Sequence, residues 1–342
     1  MEELKKLQNK SGLLIHHWDT DGICSAVLLY EFLSANDTQV ITSTLQIGNY
    51  RLTPEIFEKA QEFEFIIIAD IAVLKEDVLK LQQATTAQIL LFDHHLQDHM
   101  PGVLNFNPTL SGENGDNFPS AAWFINDLLN NEMNILPILG AVGDLGAKIK
   151  QNKVIFKEIS VYTDSVDINF SELLDMIELI DSNFKIQNKK EVENAVFTLL
   201  QFKDDPKRIL TYEKWKYHLQ LLEDELNRLI TQKPSYKEDH IILFEIDTKY
   251  DLISAVTRHL ALQTKENKDK TVIVINNGLF PDDVQLYIRR SNGLSNSRKL
   301  IEMARSIGYS AGGKRDVFGS VFPKEEKKAF LNKILTEYRE WL

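Results

Sequence analysis

The sequence is short of cysteine, of long apolar runs and of positive charge. Cys24 is its single cysteine, so no disulfide can close within the chain. No apolar run approaches the roughly 18 residues of a membrane-spanning helix. The first ten residues, MEELKKLQNK, are polar and contain no signal-peptide core. These absences lead us to expect a soluble, cytoplasmic protein with no membrane partner. A formal net charge of −11 and a pI near 5.3 exclude wholesale coating of nucleic acid, which favours basic chains. What the sequence does have is length and core: 342 residues suit about two domains, and 43% apolar residues suffice for ordinary packing.

The first 150 residues alternate short apolar runs with helical patterns. GLLI (12–15), QVITS (39–43), FIIIAD (65–70) and QILLFD (88–93) read as buried strands. ICSAVLLYEFLS (23–34), KEDVLKLQQ (75–83), SAAWFINDLL (120–129) and ILPILGAVGDLG (135–146) read as helices. That rhythm predicts an α/β fold with a parallel sheet. From about residue 170 to 233 the chain reads at helical period, in SELLDMIELID, EVENAVFTLLQ and KRILTYEKWKYHLQLLEDELNRLITQ, the last long and charged and able to connect two domains. KPSYKED (233–239) breaks the pattern. Beyond it, 240–246, 271–276 and 284–290 read as strands, and 295–307 and 324–342 as helices. The expected organisation is therefore an N-terminal parallel-sheet domain (1–150), a helical segment and connector (151–233) and a smaller C-terminal α/β domain with a mixed sheet (234–342).

Charged residues gather where the apolar runs stop. HHWDTDG (16–22) follows GLLI; Asp70 ends FIIIAD; Asp93, His94 and His95 follow QILLF; Asp144 sits in AVGDLG. If the chain stays extended through residue 21, His17, Asp19 and Asp21 fall on one side at i, i+2 and i+4. An imidazole and two carboxylates converging there suit a divalent cation; the ordinary alternative is that Asp19 or Asp21 caps the following helix. Ligands of parallel α/β sheets bind beyond the carboxyl ends of strands, where most of these groups lie. Four of the eight histidines fall in the two HH pairs, so the joint pattern is far more specific than any one residue. In the tail, Arg289, Arg290, Arg298, Lys299, Arg305, Lys314 and Arg315 stand against the single acid Glu302, a basic stretch in an acidic chain.

These segments resemble the four motifs of the DHH phosphoesterase superfamily, and the tail resembles its DHH-associated C-terminal domain. The RecJ-like exonuclease branch, archaeal members in particular, is the nearest likeness, through H-x-D-x-D-G and the loop NPTLSGENGDNFPSAAW (107–123). The resemblance implies a two-metal hydrolase that takes nucleotides from single-stranded DNA or RNA, or from short oligonucleotides, with repair as its setting. It implies that His17, Asp19 and Asp70 hold one ion, and Asp21, Asp70, His94 and Asp144 the other, with Asp70 bridging. Asp93 would orient or support His94, and His95 would meet the phosphate or protonate the leaving oxygen. A mixed imidazole and carboxylate set suits two Mn²⁺ ions, with Mg²⁺ or Co²⁺ as substitutes. Where the family has G-G-H-x-x-A-A-G, this chain has Gly312, Gly313, Lys314, Val317, Phe318 and Gly319; a lysine meets phosphate as a mobile point charge. Arg289 matches a family arginine that contacts substrate. Gly312 and Gly313 also fit a plain turn, and Ser120 fits a helix cap better than a phosphate contact. Two other functions share the architecture: hydrolysis of pyrophosphate, polyphosphate or cyclic dinucleotides, and a scaffold that partners the replicative helicase assembly or repair proteins. The pyrophosphatase branch spaces its first motif differently.

Overall fold

Residues 2–238, 240–294, 297–314 and 317–340 are described in a computed structural model. Two compact units emerge: Met1–Phe184 with Asn188–Leu219, and Lys185–Gln187 with Gln220–Leu342.

In the first unit a short helix α1 (Glu2–Lys5) precedes β1 (Ser11–His16), α2 (Thr20–Ala35) and β2 (Gln39–Thr44). Then come α3 (Pro54–Lys59), β3 (Phe65–Ala69), α4 (Lys75–Ala84), β4 (Gln88–Phe92) and β5 (Leu104–Phe106). The strands form one parallel sheet in the order β2-β1-β3-β4-β5. Strands this apolar bury both faces, as parallel sheets do; Leu13, Leu14, Ile15 and Phe65 to Ile68 are all buried. The three-residue β5 was not foreseen, since LNF is too short to show alternation.

Helices α5 (Ala121–Leu128), α6 (Ile135–Leu145) and α7 (Lys153–Ser165) follow, then α8 (Phe170–Lys185), α9 (Lys189–Phe202), α10 (Lys207–Thr211) and α11 (Glu213–Ile230). Helices between residues 153 and 219 belong to the same compact unit as the N-terminal sheet. Leu173 and Met176 of α8, Val192 and Leu199 of α9, and Trp215 of α11 share one core with the sheet. Glu193 Oε1 accepts from Ser43 Oγ at 3.1 Å and from the Thr44 N–H at 3.2 Å, tying α9 to the end of β2. Helical period marks α8, α9 and α11 but carries no information on which apolar surface they cover, and α7 was not read from it. The unit boundary falls within α11, between Leu219 and Gln220.

The second unit holds β6 (Tyr236–Lys237), β7 (Ile241–Ile246), α12 (Ile253–Leu262), β8 (Thr271–Asn276), β9 (Asp283–Arg290) and α13 (Ser297–Ser306). It ends with β10 (Ser310–Lys314), β11 (Val317–Pro323) and α14 (Lys327–Glu340). Its sheet is mixed, in the order β10-β11-β9-β8-β7-β6, with only β7–β8 parallel. Alternation divides the two faces. Ile273, Ile275, Leu286 and Ile288 pack on one side with α13 and α14. Val272 and Val274 pack on the other with Val256 and Leu260 of α12. Gly312 and Gly313 lie within a strand and pair with Gly319 and Phe318, so the alternative of a plain turn is replaced by a hairpin.

Candidate metal centre and a second polar cavity

β1 stops at His16, and α2 starts four residues later, so His17, Asp19 and Asp21 do not share one face of an extended strand. Asp19 itself ends the extension. Its Oδ1 accepts the Gly22 N–H at 3.1 Å and caps α2, so the capping alternative holds for Asp19 alongside its place in the cluster. The turn needs Gly22, because a Cβ there would sit 2.4 Å from His17 Cβ and 2.6 Å from the His17 carbonyl oxygen. His17 Nδ1 lies 2.8 Å from Asp19 Oδ1. Asp181 of α8 accepts from the Thr20 N–H at 3.1 Å and from Thr20 Oγ1 at 2.7 Å, pinning the chain between Asp19 and Asp21. Sequence reading passed over Asp181, because nothing in a helical pattern distinguishes one acid that faces inward.

Asp70 has φ +58, a left-handed backbone that aspartate tolerates better than most side chains. Its N–H still donates to Phe92 O at 2.8 Å, so the twist comes after the strand pairing is complete. The carboxylate is thereby placed between two groups: Oδ2 lies 3.8 Å from His17 Nδ1, and Oδ1 lies 3.8 Å from His94 Nε2.

At the end of β4, Asp93 Oδ1 accepts the main-chain N–H groups of His94 at 2.7 Å and His95 at 3.1 Å. The same oxygen lies 2.7 Å from His95 Nδ1. Asp93 was expected to steer His94; the ring it holds is that of His95. Burial works against its ionised form, but the bond and charge of His95 prevail, so its carboxyl lies below the ordinary range. An ionised carboxylate can only accept, so His95 Nδ1 is the donor.

Asp21 is buried at the start of α5, where Oδ2 accepts the Ala121 N–H at 2.7 Å and Oδ1 accepts the Ala122 N–H at 2.9 Å. Ser120 Oγ accepts the Trp123 N–H at 3.1 Å, the cap expected of it. Close approach here depends on Gly140 of α6, whose Cβ would fall 2.3 Å from Asp21 Oδ1 and 2.8 Å from Ala122 Cβ. One turn further along α6, Asp144 Oδ2 lies 3.1 Å from His94 Nε2, which is itself 4.0 Å from Asp21 Oδ2.

The donor atoms fall into sets that could each hold a cation: His17, Asp19 and Asp70; Asp21, His94 and Asp144; and Asp70 with Asp93, His94 and His95. Among the described residues, buried His17 Nε2 and Asp93 Oδ2 have no hydrogen-bond partner, a costly state that a cation would relieve. Without one, the cluster holds protons. Burial first, then the charges of its neighbours, pushes Asp70 well above the ordinary carboxylate range and Asp21 up to about 7. Burial works to lower His94, but the Asp144 bond and the surrounding acids lift it to about 9. Mixed nitrogen and oxygen donors suit a divalent transition metal, so the residues fit the expected ions.

A cavity of about 200 Å³ opens over this cluster, and Tyr50 and Ala72, neither of them foreseen, help line it. The Tyr50 ring stacks on His17 with centroids 5.6 Å apart and packs against Trp18 at 5.0 Å. Tyr50 lies in a loop after β2, where the sequence has no periodicity to read.

In the second unit a cavity of about 330 Å³ brings Arg289, Gly312, Gly313 and Gly319 together with Ser254, Arg258, Tyr287 and Val317. Arg289 and Tyr287 alternate with Leu286 and Ile288 on β9 and so share the α12 face, where Ser254 and Arg258 lie. Sequence reading missed Ser254 and Arg258 because only the strand register reveals which helix residues border a strand. Gly319 keeps the Tyr287 ring close, since a Cβ would come within 2.8 Å of it. Lys314 ends β10; its side chain, like Arg315, lies outside the described residues.

Residues 13–141 match the family described as the DHH family, N-terminal domain. Among curated protein sequences none matches. Among solved structures, RecJ from Thermus thermophilus in complex with Mn²⁺ shares 15% identity at a TM-score of 0.69, over 99% of this chain and 54% of that one. This chain thus spans about half the length of that RecJ. The DHH domain of a member of the S1p family of ribosomal proteins shares 17% identity at 0.68, covering 98% and 87%. An exonuclease RecJ bound to manganese shares 15% at 0.59, covering 97% and 91%. At these identities the likeness is one of fold.

Proposed function

Starting from a DHH-family N-terminal domain at residues 13–141, we propose that the chain is a divalent-metal phosphodiesterase that removes nucleotides from single-stranded DNA or RNA, or degrades short oligonucleotides. The observation that carries this reading is the Asp70 carboxylate, with one oxygen toward His17 and the other toward His94. His17, Asp19 and Asp70 would hold one Mn²⁺; Asp21, Asp70, His94 and Asp144 would hold the second. When bound, such a pair neutralises phosphate charge and lowers the pKa of a water. The protein's own groups supply the rest. Asp19, Asp21 and Asp93 are fixed by main-chain N–H groups, so the site is set before substrate arrives. His95 has Nδ1 committed to Asp93, and when it is an imidazolium its Nε2 proton is the one that would pass to the leaving oxygen. Its side chain is 49% exposed, which leaves it open to substrate.

In the second unit, Arg258 and Arg289 would hold a substrate phosphate, and Gly312 leaves open space where a side chain would crowd it. Lys314 would add a point charge. Purified protein incubated with end-labelled single strands of DNA and RNA, dinucleotides, cyclic dinucleotides and pyrophosphate, with Mn²⁺, Mg²⁺ or Co²⁺ in turn, tests the reading. Mononucleotide release from linear strands, strongest with Mn²⁺, is expected. Hydrolysis of pyrophosphate or cyclic dinucleotides alone would replace the substrate assignment. No hydrolysis with any metal, together with capture of replication proteins, would replace the enzyme by a scaffold.

A further inference from the structure

Beside the candidate metal cluster, the first unit has a larger cavity of about 820 Å³, walled by part of the loop 107–123 and by residues 145–155, to which no role has been given so far. His94 forms part of its wall, so it is continuous with the cluster. Lys148, Lys153 and Phe118 line it, and Asp116 is the only acid among its lining residues. The lysines belong to the segment LGAKIKQNKVIFK (145–157), four lysines and no acid in a chain of net charge −11. Lys150 is occupied over the Phe170 ring, 4.0 Å from its centroid. Lys148 and Lys153 are exposed and have no carboxylate partner among the described residues. The two walls are tied to each other: Asn152 Nδ2 donates to Asp116 O at 2.6 Å, while Asn152 Oδ1 accepts the Ile155 N–H at 3.2 Å and caps α7. The Phe118 ring is half-buried and meets Phe124 edge-on at 5.6 Å.

We propose that this groove binds the body of a single-stranded nucleic acid beyond the bond being cut, with Lys148 and Lys153 on its phosphates and Phe118 under a base. The inference rests on the function proposed above. Charge is what favours this occupant: an acidic protein concentrates unpaired lysines beside a site for phosphodiesters, and aromatic faces between cations suit unstacked bases. A dinucleotide has one phosphodiester, which the metal cluster takes, and so leaves none for the lysines, which act on longer strands only.

The test uses Lys148→Glu/Lys153→Glu and the milder Lys148→Gln/Lys153→Gln, with Lys5→Glu/Lys80→Glu as a control for bulk charge. With Mn²⁺, kcat/KM is measured on single strands of 2, 5, 10 and 20 nucleotides. The groove variants should lose about 10–100-fold on the longest strand, an effect of two lost charge-assisted contacts, and keep the dinucleotide rate. The salt dependence on the long strand should flatten by about 1.4 in logarithmic slope, two contacts at about 0.7 each. An equal loss at every length, no loss at any, or the same loss in the control would overturn the proposal. Binding of a fluorescent 20-mer without divalent metal separates this from the catalytic reading. If the wild type hydrolyses nothing yet binds the strand, and the groove variants bind at least tenfold more weakly, the groove stands and the nuclease reading falls. If wild type and variants bind alike, or not at all, the groove falls.

Discussion

The two polar sites are built in opposite ways. In the first unit three of the clustered acids also hold the fold: Asp19 caps α2, Asp21 receives the first N–H groups of α5, and Asp93 shapes the turn after β4. In the second unit the cavity is lined from the flat of a sheet, and a contributor such as Arg258 is exposed at the surface of α12. Acids crowded in a buried site must be fixed by donors and by cations, or they repel one another apart. Cations at an open cavity need no such scaffolding, since water solvates them until a ligand arrives. The contrast predicts that altering the first site disturbs both structure and chemistry, and altering the second disturbs binding alone.

Asp70→Asn is the substitution that separates the two effects within the first site. Asparagine accepts the left-handed backbone as readily as aspartate, and the Asp70 carboxylate, unlike those of Asp19, Asp21 and Asp93, holds no main-chain N–H group among the described residues, so the amide removes the charge and leaves the local backbone bonds in place. Activity with Mn²⁺ should fall at least about 10³-fold, while thermal unfolding without metal should stay level or move upward as repulsion is relieved. A variant that cleaves like wild type would remove Asp70 from the centre; one that unfolds would show that its role is structural.

Arg258→Ala probes the other pole. KM for an oligonucleotide should rise about 10–30-fold, the value of one charge-assisted bond. Stability should stay within about 0.5 kcal/mol, as for exposed substitutions generally. If kcat fell and KM did not move, the second cavity would not be a binding site and the contrast would lose one side.

How legible each site was follows from the same architecture. A parallel sheet delivers its ligands to one edge, so each appears in sequence as an apolar run broken by a charged residue: GLLI then HHWDTDG, FIIIA then Asp70, QILLF then Asp93 to His95. The sheet and the gathering of these segments could therefore be read without coordinates. The local route could not: the alternation inferred for His17, Asp19 and Asp21 gave way to a cap and a helical turn, because an aspartate three residues before Gly22 stops the strand as readily as it binds a cation. Asp181 and Tyr50 were invisible because their neighbours come from distant segments. In the second unit, Arg258 and Ser254 could be found only once the alternation of β9 had assigned Arg289 to the α12 face. The hairpin through Gly312 and Gly319 was hidden because glycine-rich strands carry little β signal.

Gly140→Ala asks how tightly packing and chemistry are coupled in the first unit. The added methyl would press on Asp21 Oδ1 and Ala122 Cβ. Overpacking of this kind should cost about 1–3 kcal/mol in denaturant unfolding, and activity should fall with it because Asp21 must shift. The same exchange at Gly312, where a Cβ meets nothing within 4 Å, should leave stability near wild type. Equal costs at the two positions would mean that the first site is no more constrained than the second.

The smallest effect separates the two sites by pH. Without metal, Asp21 is pushed up to about 7 by burial and then by Asp144, and His94 stands at about 9, where its acid neighbours outweigh burial. Both must lose their protons before a cation binds, so protons compete with metal, more strongly as pH falls. The stabilisation on adding Mn²⁺, read from unfolding in denaturant, should therefore be larger at pH 8 than at pH 6, by about 1.4 kcal/mol for each pH unit over which a displaced proton is still bound. Arginine does not titrate in this range. The affinity of the second cavity for a phosphodiester, measured without divalent metal, should then be flat over the same interval. A metal-induced stabilisation independent of pH would mean that the bound ions displace no protons, and the buried acids of the first unit would have to be held apart by other means.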